Sequence, residues 1–339
     1  MPRLVRSALA LLAVCLPLLV VWLLPARAEV PVVDGLAMAD VRFGVGAPIV
    51  QGGLAVFPIV DAEAPDAPGV GISTLAEGLE GKTLTVTERD DGDVPTLQVV
   101  NAGKEPVLLT AGEVVQGGKQ DRVVVADMLI PADGKPHEVP VNCVEQSRWS
   151  YTGAAEFGYG GRAETALKET VQVAKDQGKT WETVAALNAN KAPLVSDGAA
   201  VAPSTGTYMA SLDNPELAAK TEAASKALEQ GLAAQARVVG LVIAYEGQLA
   251  AAEMFGQPSL FDKARASIVD AVALESLGKK DASAPSQQAA ASFLATALAE
   301  HAAPAVKAGE ATRTEAEVDD RKVFKTTTEA GELLHLDLY

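Results

Sequence analysis

The chain has 339 residues, 48% hydrophobic, 21% charged and 4% aromatic: enough apolar side chain for a sizeable core, and too much for a disordered polymer. Its formal charge of −16, from 28 Lys and Arg against 44 Asp and Glu, argues against nucleic-acid or anionic-lipid binding through a broad basic surface. Two Cys exclude a disulfide framework, and three His leave little for a His-rich metal centre.

Arg3 and Arg6 precede an apolar run from Ala8 to Leu24, broken once by Pro17, and Ala26-Arg27-Ala28 follows. A positive start, an apolar middle and an Ala-x-Ala end predict a secretory signal peptide cut after Ala28. The expectation is export to the periplasm or the extracellular space, with no membrane attachment afterwards. An uncleaved anchor is the other reading of the same run. Cleavage removes three Arg and no acid, so the mature charge becomes −19, and Cys143 is left as the single thiol.

Residues 29–150 read as β-rich. Thr83-Leu-Thr-Val-Thr-Glu and Leu97-Gln-Val-Val alternate, while Val107-Leu-Leu-Thr, Val123 to Ile130 and Val139 to Val144 are short β-branched runs. Turns are expected at Asp90 to Asp93, Asn101 to Lys104 and Ala132 to Lys135, and a surface loop at Asp61 to Gly69. From Ser150 to Gly161 a Gly- and aromatic-rich linker leads to a helix over Arg162 to Gln177, closed by Gly178. Thr180 then caps a second helix. Residues 191–213 read as a loop. Asn214-Pro215-Glu216 opens a helix to about Ala234. Arg237 to Tyr245 and Leu249 to Phe255 predict a hairpin, and Pro258-Ser259 a helix through Leu277. Residues 279–304 form an Ala-rich insert with one weakly packed helix, Gln287 to His301. Lys322 to Thr327 and Glu332 to Tyr339 predict a terminal hairpin. The fold class is α+β: residues 29–339 form one domain, β-rich to 150 and built of helices and two hairpins from 151 onward.

The densest polar stretch, Thr110-Ala-Gly-Glu-Val-Val-Gln-Gly-Gly-Lys-Gln-Asp-Arg122, lies between two apolar strands. Glu113 and Asp121 are possible acid/base groups or metal ligands, Lys119 and Arg122 natural anion donors, and Gln116 and Gln120 polar contacts. A solvated β-turn explains the same residues. Asn142-Cys-Val-Glu-Gln-Ser-Arg-Trp149 adds Glu145, Arg148 and Trp149, an ion pair beside a stacking surface; core packing is the plainer role for Trp149. Cys143, on a Val-rich strand with no His nearby in sequence, reads as a small buried hydrophobe. If the strands on either side of Ala132-Asp133-Gly134 pair, Arg122 comes close to Glu145 and Arg148.

There is no P-loop, because Gly118 rather than Lys follows Gly112-x-x-x-x-Gly117. His-Glu-x-x-His, Cys-x-x-Cys and Gly-x-Ser-x-Gly do not occur, and Asp90-Asp-Gly-Asp lacks the Glu that closes an EF-hand loop. No cofactor and no metal ligand set is implied. His335, in the terminal strand, faces either the core or the site.

The block Leu108 to Arg122, Pro131 and Val139 to Trp149 resembles the ADP-ribosylglycohydrolase- and rhodanese-phosphatase-associated domain family, with fainter echoes at Gln177 to Val184, Val239 to Ala244, Met254 to Phe261 and Leu334-His-Leu. The resemblance covers nearly all of residues 40–339. It implies, by genomic association, a role near nucleotide-derived ligands and assigns no catalytic residue. Two functions follow as expectations. The first is an exported envelope protein with a polar ligand-binding pocket, a binding or scaffolding module. The second is a hydrolase acting on a small anionic or nucleotide-derived, ADP-ribose-like ligand.

Overall fold

The computed structural model describes residues 32–38, 41–62, 71–89, 95–151, 156–299 and 301–339. The signal segment, the Asp90 to Asp93 turn and most of the Asp61 to Gly69 loop lie outside them. Among the described residues no helix is long and apolar enough to cross a membrane. The fold is α+β.

An antiparallel ten-stranded sheet runs in the order Val32–Met38, Val41–Val45, Leu54–Asp61, Val238–Tyr245, Gln248–Phe255, Leu333–Leu338, Arg321–Thr328, Ala311–Val318 and Ala305–Ala308, with Ile49–Gln51 beside Leu54–Asp61. Its two central strands, Leu54–Asp61 and Val238–Tyr245, are buried along their whole length. Both faces are covered, so these strands read as continuous apolar runs. Helices Pro215–Ala233 and Pro258–Ser276 pack Leu228, Leu232, Phe261, Ile268 and Val272 onto one face. Helix Gln287–Leu298 packs Ala290, Phe293, Leu294 and Ala297 onto the other. This last helix, expected to be weakly packed, is core: its Ala residues let it sit close to the sheet. Pro58 is tolerated in a central strand because its partners change there. Ile49–Gln51 pairs with 54–56 and Val41–Val45 with 59–61, and the Pro58 carbonyl accepts from Gly46 N at 2.7 Å in the gap between them.

A six-stranded sheet follows the order Phe157–Arg162, Glu113–Gly117, Arg122–Val124, Pro136–Cys143, Thr96–Asn101 and Leu84–Glu88. A bridge from Thr87 to Glu156 brings its first and last strands together. The sheet thus curls around Val86, Leu97, Val99, Val115, Val139 and Val141, while Val114 and Val123 pack outward on Leu167, Val171 and Val184 of helices Thr165–Glu169, with its π-helical continuation Thr170–Ala174, and Gln177–Lys191. Met128–Ile130, Val107–Leu109 and Ser73–Thr74 form a third, small sheet.

Several local readings change. The run Val123 to Ile130 is two strands in different sheets, parted at Asp127, whose carboxylate accepts from Ala111 N at 2.9 Å instead of continuing the ladder. Only the open end of the expected hairpin therefore forms: 122–124 pair with 141–143, while 136–140 pair with 96–100. The second half of the supposed linker is the strand Phe157–Arg162. The next helix stops at Lys175 (φ 51°), and Asp176, accepting from Lys179 N at 2.8 Å, caps its successor ahead of Thr180. Gly178 thus lies inside a helix and closes none. The loop 191–213 contains short helical turns at Ala192–Leu194, Gly198–Val201 and Met209–Leu212. Helix Leu75–Glu80 went unread although Thr74 and Glu77 form its capping box, a signal present in the sequence. Both hairpins form as predicted, and Ala305–Ala308 and Ala311–Val318 extend the second one.

Candidate functional site

Strand Arg122–Val124 pairs Arg122 with Cys143, which sets Asp121 beside Val144; the Val144 amide donates to the Asp121 carbonyl at 3.0 Å. The segments 112–122 and 142–149 are therefore neighbours, and Arg148 is their hub. Its Nε donates to Glu145 Oε2 at 2.6 Å, and its Nη2 to Asp121 Oδ1 at 3.1 Å and the Gly117 carbonyl at 3.3 Å. Its Nη1 donates to the Gly118 and Ser150 carbonyls, both at 2.9 Å. Asp121 also accepts from Gly117 N at 3.1 Å and Thr207 Oγ1 at 3.0 Å. Gly118 is fixed as glycine: its φ is +50°, and a Cβ would stand 2.3 Å from the Phe157 ring.

These groups border an open cleft of about 710 Å³ between the Gly-rich strand Phe157–Arg162 with its neighbour Glu113–Gly117 and the segment 205–213. Gln116, Asp121, Glu145 and Arg148 line it, and the structure adds Glu156 and Asp213, which sequence reasoning did not single out. Burial, then the nearby Asp121 charge, pushes the Glu145 carboxyl up; burial also raises Asp213. The lining is acidic, and its one cation spends its donors on protein acceptors.

The other expected residues stand apart from the cleft wall. Arg122 is fully buried: Nη2 lies 3.3 Å from both Glu88 carboxylate oxygens, and Nη1 donates to the Gln120 carbonyl at 2.6 Å. Gln120, also buried, donates to the Glu145 carbonyl at 2.6 Å and ties the two segments together. Lys119 places its ammonium 5.3 Å from the Trp149 ring centre and 5.7 Å from that of Tyr151. Trp149 is not core: it is 51% exposed and Tyr151 48%. Cys143 is buried as expected, and burial pushes its thiol up to about 11, so it is protonated and inert at neutral pH.

Glu113 points elsewhere, into a second polar cluster buried where the six-stranded sheet meets the ten-stranded one. Glu253 accepts from Arg162, lies 2.9 Å from Lys168 Nζ and 3.1 Å from His335 Nε2. His335 Nδ1 lies 2.8 Å from Asp127 Oδ2, and Lys168 Nζ 2.6 Å from Asp337. Burial alone would lower the His335 imidazolium; the Asp127 and Asp337 charges outweigh it and raise it to about 9. Burial pushes the Glu113 carboxyl up, more than the Arg162 charge pulls it down. Arg162, Lys168 and His335 thus face the acids Asp127, Glu253 and Asp337, with Glu113 close to Arg162. The ligand atoms of Asp127, His335 and Asp337 lie within 4.8 Å of one another, a spacing that suits a metal. In this structure the same acids are held by protein cations: Lys168 Nζ lies 2.6 Å from Asp337, and His335 Nδ1 2.8 Å from Asp127. The cluster is an ion-pair tie between the sheets. The signal for it was in the sequence, in single charges set within apolar strands: Asp127, Glu253, His335 and Asp337.

Fold and cleft define an α+β protein with an acid-lined polar cleft beside a Gly-rich strand. The chain belongs to the ARPP-1 family, the ARG and Rhodanese-Phosphatase-superfamily-associated Protein domain, whose model matches residues 42–339. No curated protein and no solved structure matches it.

Proposed function

We propose that this is an exported binding module whose cleft takes a small hydroxyl- or amine-bearing ligand. One observation carries the reading. Arg148, the one cation of the lining, commits its guanidinium to Asp121, Glu145 and three carbonyls, so the charged groups left to a ligand are the carboxylates of Glu156 and Asp213, which accept hydrogen bonds. A ligand that donates hydrogen bonds fits such a lining, and an anion does not. Arg122 and Lys119, the cations that supported an anionic ligand, serve Glu88 and the exposed rings. Export rests on the Arg3 to Ala28 pattern: the mature protein is expected in the periplasmic or extracellular fraction with Glu29 at its N-terminus by mass spectrometry. Retention of Met1 in the membrane fraction would refute it. Hydrolysis stays as the second reading because a raised Glu145 carboxyl beside Asp121 has the form of an acid catalyst.

A thermal-shift screen of saccharides, amines, nucleotides and ADP-ribose tests the ligand class. Hits are expected among the first two. Glu156→Gln and Asp213→Asn, both exposed at the cleft, should weaken a hit about ten-fold or more while changing stability by less than about 0.5 kcal/mol. Preferential binding of ADP-ribose would reverse the assignment, and its turnover, lost in Glu145→Gln, would establish the hydrolase.

A further inference from the structure

Beyond the cleft, a groove of about 630 Å³ runs between helices Pro215–Ala233 and Pro258–Ser276. Three polar atoms on its lining residues are buried without a partner: Arg162 Nε, Ser225 Oγ and Glu229 Oε1. Arg162 is 3% exposed, and its Nη2 is already engaged with Thr110 and Glu253. Groups orphaned in this way are costly unless something meets them, so natural structures leave few. The three differ in kind. Arg162 Nε only donates, Glu229 Oε1 only accepts, and Ser225 Oγ does both. A hydroxyl matches all of them. Asp213 and Asp270, also in the lining, disfavour an anion.

The groove adjoins the cleft. Asp213 lines both, and so does the strand Phe157–Arg162, through Gly158 in the cleft and Gly160 and Gly161 in the groove. A Cβ at Gly158 would meet nothing within 4 Å, so the cleft side of the strand is open. Six strand residues at about 3.3 Å each span roughly 20 Å, longer than one sugar ring needs.

Resting on the cleft reading above, we infer that cleft and groove are two subsites of one trough for an uncharged oligosaccharide, lying along the Gly-rich strand. Sugar hydroxyls meet the carboxylates of the cleft, and the far rings meet Arg162, Ser225 and Glu229 in the groove.

Calorimetry of the mature chain with N-acetylglucosamine oligomers of increasing length tests this. The tetramer is expected to bind at least about ten-fold more tightly than the dimer. Ser225→Trp, which fills the groove, should erase that gain and leave the dimer unaffected; if this variant melts early, Lys226→Trp at the exposed rim replaces it. Affinity independent of length, or unchanged by both groove variants, overturns the trough. Equal binding of an anionic oligogalacturonate overturns the ligand class. If no oligosaccharide binds while amines still shift the wild type and not Glu156→Gln, this inference fails and the cleft reading stands. If nothing binds at the cleft, both fail.

Discussion

Arg122→Ala is expected to destabilise the fold by about 3–5 kcal/mol, the scale for removing one partner of a buried ion pair. Arg122 is 0% exposed and the Glu88 side chain 4%, so the variant strands a carboxylate where water cannot reach it. The same change frees the Gln120 carbonyl that Arg122 Nη1 holds at 2.6 Å, and Gln120 in turn links to Glu145. Urea unfolding at neutral pH measures the loss. Because Arg122 stands behind the cleft wall rather than in it, ligand affinity of the folded variant should change little. A loss under about 1 kcal/mol, the range of an ordinary surface site, would contradict the buried pair.

Glu253→Gln is expected to cost about 3 kcal/mol or more near pH 6, within the range for a broken buried ion pair. Glu253 faces Arg162, Lys168 and His335 at once, and its burial is tolerated only because those charges hold it well below the usual carboxylate range. Neutralising it leaves Arg162, Lys168 and His335 with one carboxylate fewer. His335 is the group that can relieve the excess by releasing its proton, so its raised pKa of about 9 should fall. The pH dependence follows from that sign. In the wild type His335 is raised above its unfolded value of 6.5, so its contribution is whole below pH 6.5 and lost as pH rises through about 9. In the variant this loss begins at lower pH. The His335 imidazole titration by NMR, together with urea melts at pH 6 and 9, checks both. An unchanged His335 titration would mean that Glu253 does not share its charge.

The segments that meet near the cleft were legible in sequence because their contact is local. One short ladder, 122–124 on 141–143, is enough to bring Asp121 to Glu145 and Arg148. Alternation and turn residues also gave both hairpins of the ten-stranded sheet. Neighbours set by long-range sheet order stayed hidden. His335 meets Asp127 across 208 residues, and Glu253 meets Arg162 across 91. Strand periodicity says which face a residue takes and nothing about which strand lies opposite. Glu113 shows the consequence: it sits in the same polar stretch as Asp121 and faces a different cluster. The far wall of the cleft, from Thr205 to Asp213, was missed because it reads as a loop, and loops carry no period that aims their side chains.

The most direct measurement is amide chemical-shift mapping of the mature protein titrated with the strongest saccharide or amine from the screen. The account predicts the largest shifts at Gln116, Gly117, Asp121, Glu145, Glu156 and Asp213, which line one cleft. Shifts centred on other surfaces, with these amides unmoved, would contradict the assignment of this cleft as the binding site.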